Sequence, residues 1–275
     1  MTRLPVLSLL LCTPLLFSCG SLPELVDPGP SITAWGAMMS LGGDMKMESP
    51  GNPPQQNPFL DVSADFGLDD RDFGMGGTLA WGDGFGGIEV SFLRWVSARP
   101  SQNASPEFDF GVIRAGNGIE SDLELQQISL EWIQTLVRTK KLAKNLTVRL
   151  GAGVSVDHNE FQINIKELSG SAPLMTQTLN MRDDFGIPMI QLRAEGEIRP
   201  FRLRLDLGYM QGRFGNFDGD LVDLAATAWW EAQKGIDLFV GAWLYTLPVS
   251  GTESGLDYEL DSNMSGFTFG IRFKL

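Results

Sequence analysis

Apolar and polar residues alternate along most of the chain with a period of two, as they do in a β-strand that has one apolar and one polar face. Between Leu146 and His158 the even-numbered positions up to 156 are apolar, and the odd-numbered positions are polar or glycine. Similar alternation predicts further strands near residues 32–42, 59–68, 74–82, 86–97, 122–137, 187–198, 201–212, 220–231, 236–248 and 265–275. Beyond the first twenty residues no window keeps a helical period over three turns, so the pattern predicts an all-β protein.

The segment 189–209 allows the register of one hairpin to be predicted. If the turn lies at Arg199-Pro200, so that paired residue numbers sum to 399, one face carries three pairs of opposite charge: Glu197 with Arg202, Glu195 with Arg204, and Arg193 with Asp206. The other face then pairs apolar residues throughout, and this agreement of both faces favours the register. Because proline cannot take the positive φ of a type I′ turn, we expect a four-residue loop over 198–201.

A second hairpin gives an independent register. Gln233-Lys234-Gly235 fits a three-residue loop with glycine at the left-handed position. A sum of 468 then pairs Trp230 with Leu238 and Leu224 with Leu244.

Composition and charge narrow the functional classes. The 275 residues include 34 acidic and 21 basic side chains, for a formal net charge of -13, and nucleic-acid binding requires a basic face. Two cysteines and one histidine do not provide a zinc site or a disulfide framework. We therefore expect no nucleic-acid partner and no cofactor.

The N-terminus has the pattern of an export signal. Arg3 precedes an apolar run from Leu4 to Phe17, which has the length of a signal-peptide core and is too short to span a bilayer. Leu16-Phe17-Ser18-Cys19-Gly20 resembles the lipobox of bacterial lipoproteins, and this resemblance implies a lipid on Cys19. We expect a signal peptide over 1–18, a proline-containing tether over 19–30 and a folded domain over 31–275. Ordinary cleavage between Ser18 and Ser21 stays open as an alternative.

Loop lengths and aromatic residues favour a transmembrane β-barrel over a soluble sheet. Short predicted turns (82–85, 139–145, 199–200, 233–235) alternate with long predicted loops (98–121, 166–186, 250–264). Aromatic residues flank the short turns: Trp81, Trp132, Phe201, Trp229 and Trp230. Outer-membrane barrels combine short periplasmic turns, long outer loops and aromatic girdles. The predicted fold is an antiparallel up-and-down transmembrane barrel with its apolar face toward lipid and its paired charges toward the lumen.

The strand count follows from the position of the termini. If both ends lie in the periplasm, the number of spanning strands is even, so only one of the segments 32–42 and 59–68 spans. This predicts about ten strands, within a range of eight to twelve.

Two segments resemble known outer-membrane proteins. Phe267, Phe269, Ile271, Phe273 and Leu275 form one face of the last strand, which resembles the terminal signal recognised by the barrel assembly machinery, with leucine in place of the usual final phenylalanine. The glycine-rich hairpin from Gly74 to Trp95 resembles small OmpA-like and OmpW-like barrels. The resemblance implies location in the bacterial outer membrane, contact with outer-membrane lipid and lipopolysaccharide, and the assembly machinery as a partner.

The candidate site is a network of charges facing the lumen, which comprises Arg149, Arg193, Glu195, Glu197, Arg202, Arg204 and Asp206. Barrels of eight to ten strands have interiors largely filled by side chains, so these charges are expected to neutralise one another and to stabilise the fold.

No catalytic or metal-binding constellation is recognised. His158 is the only histidine, and alternation places Ser155 and Asp157 on the other face of its strand, which excludes a triad. The acidic groups near 61–72 and 216–223 do not have the spacing of a calcium-binding loop. We therefore expect a protein that is neither an enzyme nor a metal-binding protein.

The sequence leaves three functions open. The first is an outer-membrane barrel with a structural or narrow-pore, porin-like role. The second is a protein whose loops bind a small hydrophobic ligand or a surface partner. The third is a soluble periplasmic β-sandwich lipoprotein held at the membrane by Cys19.

Overall fold

A computed structural model describes residues 29–48, 57–62, 65–68, 72–99, 109–114, 116–140, 146–168, 177–214, 217–253 and 256–275. The predicted signal peptide, the predicted lipidation site at Cys19 and most of the predicted tether lie outside these residues. The first two described residues, Gly29 and Pro30, already belong to a strand and pair with Gly82 and Trp81.

The described residues form eleven strands, of which ten are long. They are β1 (Gly29–Met47), β2 (Leu60–Asp61), β3 (Asp72–Gly82), β4 (Gly87–Arg99), β5 (Gly118–Lys140), β6 (Thr147–Leu168), β7 (Thr178–Ile198), β8 (Phe201–Phe214), β9 (Phe217–Gln233), β10 (Ile236–Glu253) and β11 (Leu256–Lys274). Within the described ranges, no helix is long and apolar enough to cross a membrane.

The ten long strands close into one antiparallel barrel. Each pairs with its neighbours in chain order, β1 pairs directly with β3, and β11 pairs with β1 from Ser31↔Lys274 to Met47↔Tyr258. Segment 32–42 lies within β1, whereas 59–68 contributes only the two-residue β2. The predicted count of ten strands is confirmed. The sandwich alternative is wrong, because a single closed ring leaves no second sheet.

Both predicted hairpin registers are confirmed. Strands β7 and β8 pair Ile198 with Phe201 and continue in the sum of 399, and β9 and β10 pair Trp230 with Leu238. The four-residue loop predicted at 198–201 is wrong: the turn contains only Arg199 and Pro200, and their peptide bond is cis.

The barrel has two halves that differ in chemistry. One half contains both described ends of the barrel wall and the short turns at 83–86, 199–200 and 234–235, and we call it the turn half. We call the other half the loop half. In the turn half the outward side chains form an apolar belt, which on β8 runs from Phe201 through Leu203, Leu205 and Leu207 to Tyr209. Eight residue steps tilted by about 40° span roughly 20–25 Å, close to the apolar height of membrane barrels.

Polarity inverts in the loop half. On β6 the outward residues change from Val154 and Val156 to polar residues from His158 onward, while the inward residues change from polar ones to Phe161, Ile163 and Ile165. Strand β11 shows the same exchange: its apolar residues point inward from Leu256 to Met264 and outward from Phe267 to Phe273. Successive residues still face opposite sides of the wall, but the apolar residues are on the inner side in one half and on the outer side in the other.

This inversion explains two wrong predictions. The sequence predicted long loops at 166–186 and 250–264, but β6 ends only at Leu168, β7 begins at Thr178, and β10 and β11 continue to Glu253 and from Leu256. Where the apolar residues change face, strict alternation is interrupted, and the interruption resembles a strand end.

The aromatic girdle is confirmed except for one residue. Trp81, Trp132, Trp230 and Phe201 lie on the outside, each about half exposed or more. Trp229 faces the lumen, because it precedes Trp230 and adjacent strand residues point to opposite faces.

Candidate functional site

The turn between β3 and β4 folds into the barrel. Asp83 Oδ1 accepts hydrogen bonds from the backbone N–H groups of Phe85 at 2.9 Å and Gly86 at 2.8 Å, which closes an Asx-type turn. Gly84 has φ of 80° at the tip, where glycine is favoured. The ring of Phe85 is fully buried inside the lumen. We call residues 83–86 the inward turn.

Three arginines from the opposite wall hold the inward turn. Arg193 Nη1 donates to the carbonyl oxygen of Phe85 at 2.8 Å, and Arg204 donates to that of Gly84. The guanidinium of Arg149 lies 5.0 Å from the centre of the Phe85 ring, within cation–π range. The inward turn is therefore attached to β6, β7 and β8, far from its own strands in sequence.

Arg193 also joins carboxylates on three strands. Glu89 on β4 and Glu131 on β5 are direct cross-strand neighbours, an arrangement that is destabilising for two like charges alone. Arg193 contacts Glu89 at 3.0 Å, Glu131 at 2.5 Å and Asp206 on β8. One buried guanidinium is thus the shared ion-pair partner of three carboxylates across the lumen.

A second group of charges surrounds Glu195, whose side chain is fully buried. Arg149 donates to one of its carboxylate oxygens and Arg204 donates to the other at 3.3 Å. Arg149 also contacts Asp83 at 3.4 Å, which joins this group to the inward turn.

A third group surrounds Asp237 on β10. Its buried carboxylate contacts Arg202, Arg272 and Lys274, and the Arg272 guanidinium lies 4.2 Å from the centre of the Trp229 ring. Trp229 in turn stacks on Phe239, with 4.4 Å between ring centroids.

The three groups form one band across the lumen, which we call the charged layer. It consists of Asp83, Glu89, Glu131, Arg149, Arg193, Glu195, Arg202, Arg204, Asp206, Asp237, Arg272 and Lys274.

Two of the three predicted charge pairs form ion pairs, Arg193 with Asp206 and Glu195 with Arg204. The pairing of Glu197 with Arg202 is wrong as an ion pair although the two residues are opposite in register. Arg202 contacts Asp237 instead, while Glu197 lies at the rim, 3.0 Å from Arg199 and 3.7 Å from Arg149. The hydrogen bond from Arg199 to Glu197, together with the charge of Glu197, raises the pKa of Arg199.

Several members of the charged layer were not predicted. Glu89 and Glu131 are polar positions on the inner faces of two predicted strands. Aligning β4 with β5 places these two like charges opposite each other, which indicates that a cation from another strand must lie beside them. The contact between Arg202 and Asp237 joins β8 to β10, which are not neighbours, and pairwise registers do not contain that information.

An internal cavity of about 250 Å³ lies between the charged layer and the loop half. Glu131, Arg193 and Arg272 line it at one end, and Met39 and Leu93 line it at the other. Its wall also includes Trp35, Trp243, Asp157 and Asp223.

Asp157 and Asp223 differ from the carboxylates of the charged layer in their partners. Asp157 accepts hydrogen bonds from Ser129 at 2.5 Å and Gln127 at 3.1 Å, and Asp223 accepts one at Oδ1 from the indole N–H of Trp243 at 2.7 Å. Among the lysines and arginines whose side chains the structure describes, none lies within ion-pair distance of either carboxylate.

The loop half is closed by apolar packing. Side chains of the strands meet those of residues 57–62, 65–68 and 109–114 in a cluster that we call the apolar core. Phe66 and Phe110, one from each segment, are fully buried with ring centroids 4.9 Å apart. Leu68 and Ile113 are buried beside them.

The histidine and the acidic groups occupy positions that do not form a known site. His158 is exposed on the outside of β6, while Ser155 and Asp157 are buried on the inside. In the part of the chain that the structure covers, no three histidine, cysteine or acidic side chains are placed to hold a metal ion.

No protein-family model and no curated protein matches the sequence. Among solved structures, the chain is similar to the outer membrane protease OmpT from Escherichia coli, with a TM-score of 0.56 and 11% identity over 92% of this chain and 99% of that one. The attachment invasion locus protein Ail of Yersinia pestis (TM-score 0.25, 8% identity, 89% and 99% coverage) and the toluene transporter TodX of Pseudomonas putida (0.29, 7%, 92% and 91%) are also matched. The similarity to OmpT shows that the chain has the fold of an outer-membrane β-barrel.

Proposed function

We propose that this protein is a bacterial outer-membrane barrel with a structural role and a closed lumen, and that it is neither an open pore nor an enzyme. The observation that carries the proposal is the inward turn, which fills the lumen with Phe85 and is attached by Arg149, Arg193 and Arg204. A buried network of this kind costs several kcal/mol to break when one partner is removed, so the turn is not a freely opening gate.

The apolar core supports the same function from the other end. An ion that entered the loop half would have to leave water for a lumen filled by buried residues such as Phe66, Phe110 and Ile163. Two barriers of opposite chemistry therefore lie in series. A single rearrangement that removed one of them would leave the other in place.

Conductance in a planar bilayer tests this proposal. We expect the refolded wild-type protein, shown to be folded by a heat-modifiable electrophoretic band, to produce no discrete conductance steps. A positive control replaces residues 83–86 by Asn-Gly, a two-residue turn that suits the pairing of Gly82 with Gly87, and adds Phe66→Ser and Phe110→Ser. The control should conduct. Discrete, salt-dependent steps from the wild type would contradict the closed lumen.

The proposed location rests on the apolar belt and on the outer-membrane fold. Outer-membrane lipid and lipopolysaccharide are then the surroundings of the belt, and β11, which closes the barrel against β1, is the strand offered to the assembly machinery. We expect the protein to stay in the membrane fraction after carbonate extraction even when Cys19→Ala removes the proposed lipid. Release by that substitution would show that the lipid alone holds the protein.

A further inference from the structure

We propose that the cavity above the charged layer binds a small organic cation with an aromatic or apolar body. This inference goes beyond the closed-lumen role and does not depend on it, since a binding cavity is compatible with either a closed or a conducting barrel. The cavity has a volume of about 250 Å³, about eight times the volume of a water molecule in the liquid, which places it near the small end of ligand sites.

The first argument is electrostatic. Every carboxylate of the charged layer lies within ion-pair distance of a lysine or arginine, whereas Asp157 and Asp223 have only neutral hydrogen-bond donors among the described residues. Asp157 is 2% exposed, and the second oxygen of Asp223, Oδ2, accepts no hydrogen bond from any described residue. A buried carboxylate without a counter-charge is strongly disfavoured, and a cation in the cavity would supply that charge.

The second argument is the aromatic wall. Trp35 and Trp243 line the cavity, and their indole N–H groups donate hydrogen bonds to Thr78 and Asp223, respectively. No described lysine or arginine lies over either ring. Trp229, at the other end, is already covered by Arg272. Indole faces attract cations within about 6 Å of the ring centre, so Trp35 and Trp243 add a second contact for a positive group.

The same residues argue against a metal ion and against an anion. Divalent metals are held by several ligands in tight geometry, and the described residues contain no group of three or more histidine, cysteine, aspartate or glutamate side chains placed to hold one. The guanidinium groups at the lower end of the cavity already have carboxylate partners, so they offer little to a second anion.

Benzylammonium, benzyl alcohol and benzoate are matched probes that differ mainly in charge. The full chain is refolded in detergent at neutral pH with each probe present throughout, so that entry into the closed barrel is not limiting, and the urea midpoint is measured against the same concentration of sodium chloride. We expect benzylammonium to raise the midpoint by mass action and the other two probes to leave it within error. An equal or larger shift with benzyl alcohol or benzoate, or no shift with benzylammonium, would overturn the proposal.

Variants locate the effect in the cavity. Asp157→Asn and Asp223→Asn should each reduce the affinity for benzylammonium at least tenfold, and Asp157→Glu, which keeps the charge, should retain part of it. Asp184→Asn is the matched control, because Asp184 is exposed on the outside of β7. If one of the two asparagine variants does not fold, the other still tests the site. An unchanged shift in a folded asparagine variant would overturn the assignment to these carboxylates.

Discussion

The turn half and the loop half share long strands such as β6 and β11, yet they place the apolar residues of these strands on opposite faces. In the turn half Leu203 and Leu205 point outward and Arg204 points into the lumen, whereas in the loop half Ile163 points inward and Gln162 outward. The turn half therefore needs a compensated set of charges in its interior, and the loop half is built around a hydrophobic core like that of a soluble protein. The difference indicates that the surroundings of the wall change from lipid to water between the halves.

The largest effect is expected where the interior of the turn half loses its central cation. Arg193→Ala leaves Glu89, Glu131 and Asp206 without their shared partner and should lower the free energy of unfolding by about 3–5 kcal/mol. Urea unfolding of the refolded protein in detergent measures this. Arg199→Ala serves as the control, because the Arg199 side chain is 82% exposed and its removal should cost less than about 1 kcal/mol. Equal losses for both would show that the charged layer is not a buried network.

An arginine placed on the outside tests the two surroundings directly. Leu205→Arg lies at the middle of the apolar belt and should cost about 2–4 kcal/mol in lipid vesicles, with smaller costs for belt positions nearer the membrane surface. Gln162→Arg lies on the outside of the loop half and should change stability by less than about 0.5 kcal/mol. If both substitutions cost the same, the two halves share one environment.

A smaller effect is expected when an inward apolar residue of the loop half is compared with an outward apolar residue of the turn half. Ile163→Val removes one methyl group from the apolar core and should cost about 0.5–1.5 kcal/mol in urea unfolding. Ile190→Val, at a belt position that is 64% exposed, should cost less, because lipid or detergent fills the space of the removed group. A larger loss at Ile190 than at Ile163 would contradict the assignment of the hydrophobic core to the loop half.

The smallest effect concerns an ion pair on the outside of the loop half. Glu160→Gln breaks the contact with Arg182, whose side chain is 65% exposed, and should cost about 0.2–1 kcal/mol at low salt. At 1 M salt the Debye length falls to about 3 Å, so the difference from wild type should vanish there. The loss from Arg193→Ala should persist at the same salt concentration. A salt-independent loss for Glu160→Gln would place this pair in a buried environment.

The architecture of the turn half was predictable because each of its strands has constant chemistry on each face. Alternation predicted eleven candidate strands that include all ten long ones, and the charges and apolar residues of β7 and β8 predicted their register to the residue. The same rule did not extend into the loop half. A change of polarity at His158 is locally indistinguishable from the end of a strand unless the inward and outward sides are already known.

The inward turn was not predictable from its own residues. Gly82-Asp83-Gly84-Phe85-Gly86-Gly87 predicts a tight turn, but its direction is decided by arginines more than sixty residues away. Sequence patterns identify local conformation and nearest-strand pairing, whereas contacts across the lumen depend on the curvature of the closed wall. The cavity and its two carboxylates without a cationic partner depend on the same closure.

The exchange of polarity also determines how deeply the barrel can sit in a bilayer. A strand advances about 3.4 Å per residue, so a displacement of two residues toward the turn end would bring His158 and Glu160 into hydrocarbon, and a displacement of two residues toward the loop half would expose Val156 and Tyr209 to water. Because the same exchange occurs on β1, β5, β6, β7 and β11, a tilt that favoured one side would penalise the opposite side. The position of the polarity exchange along the strands thus determines how far the loop half extends above the membrane surface.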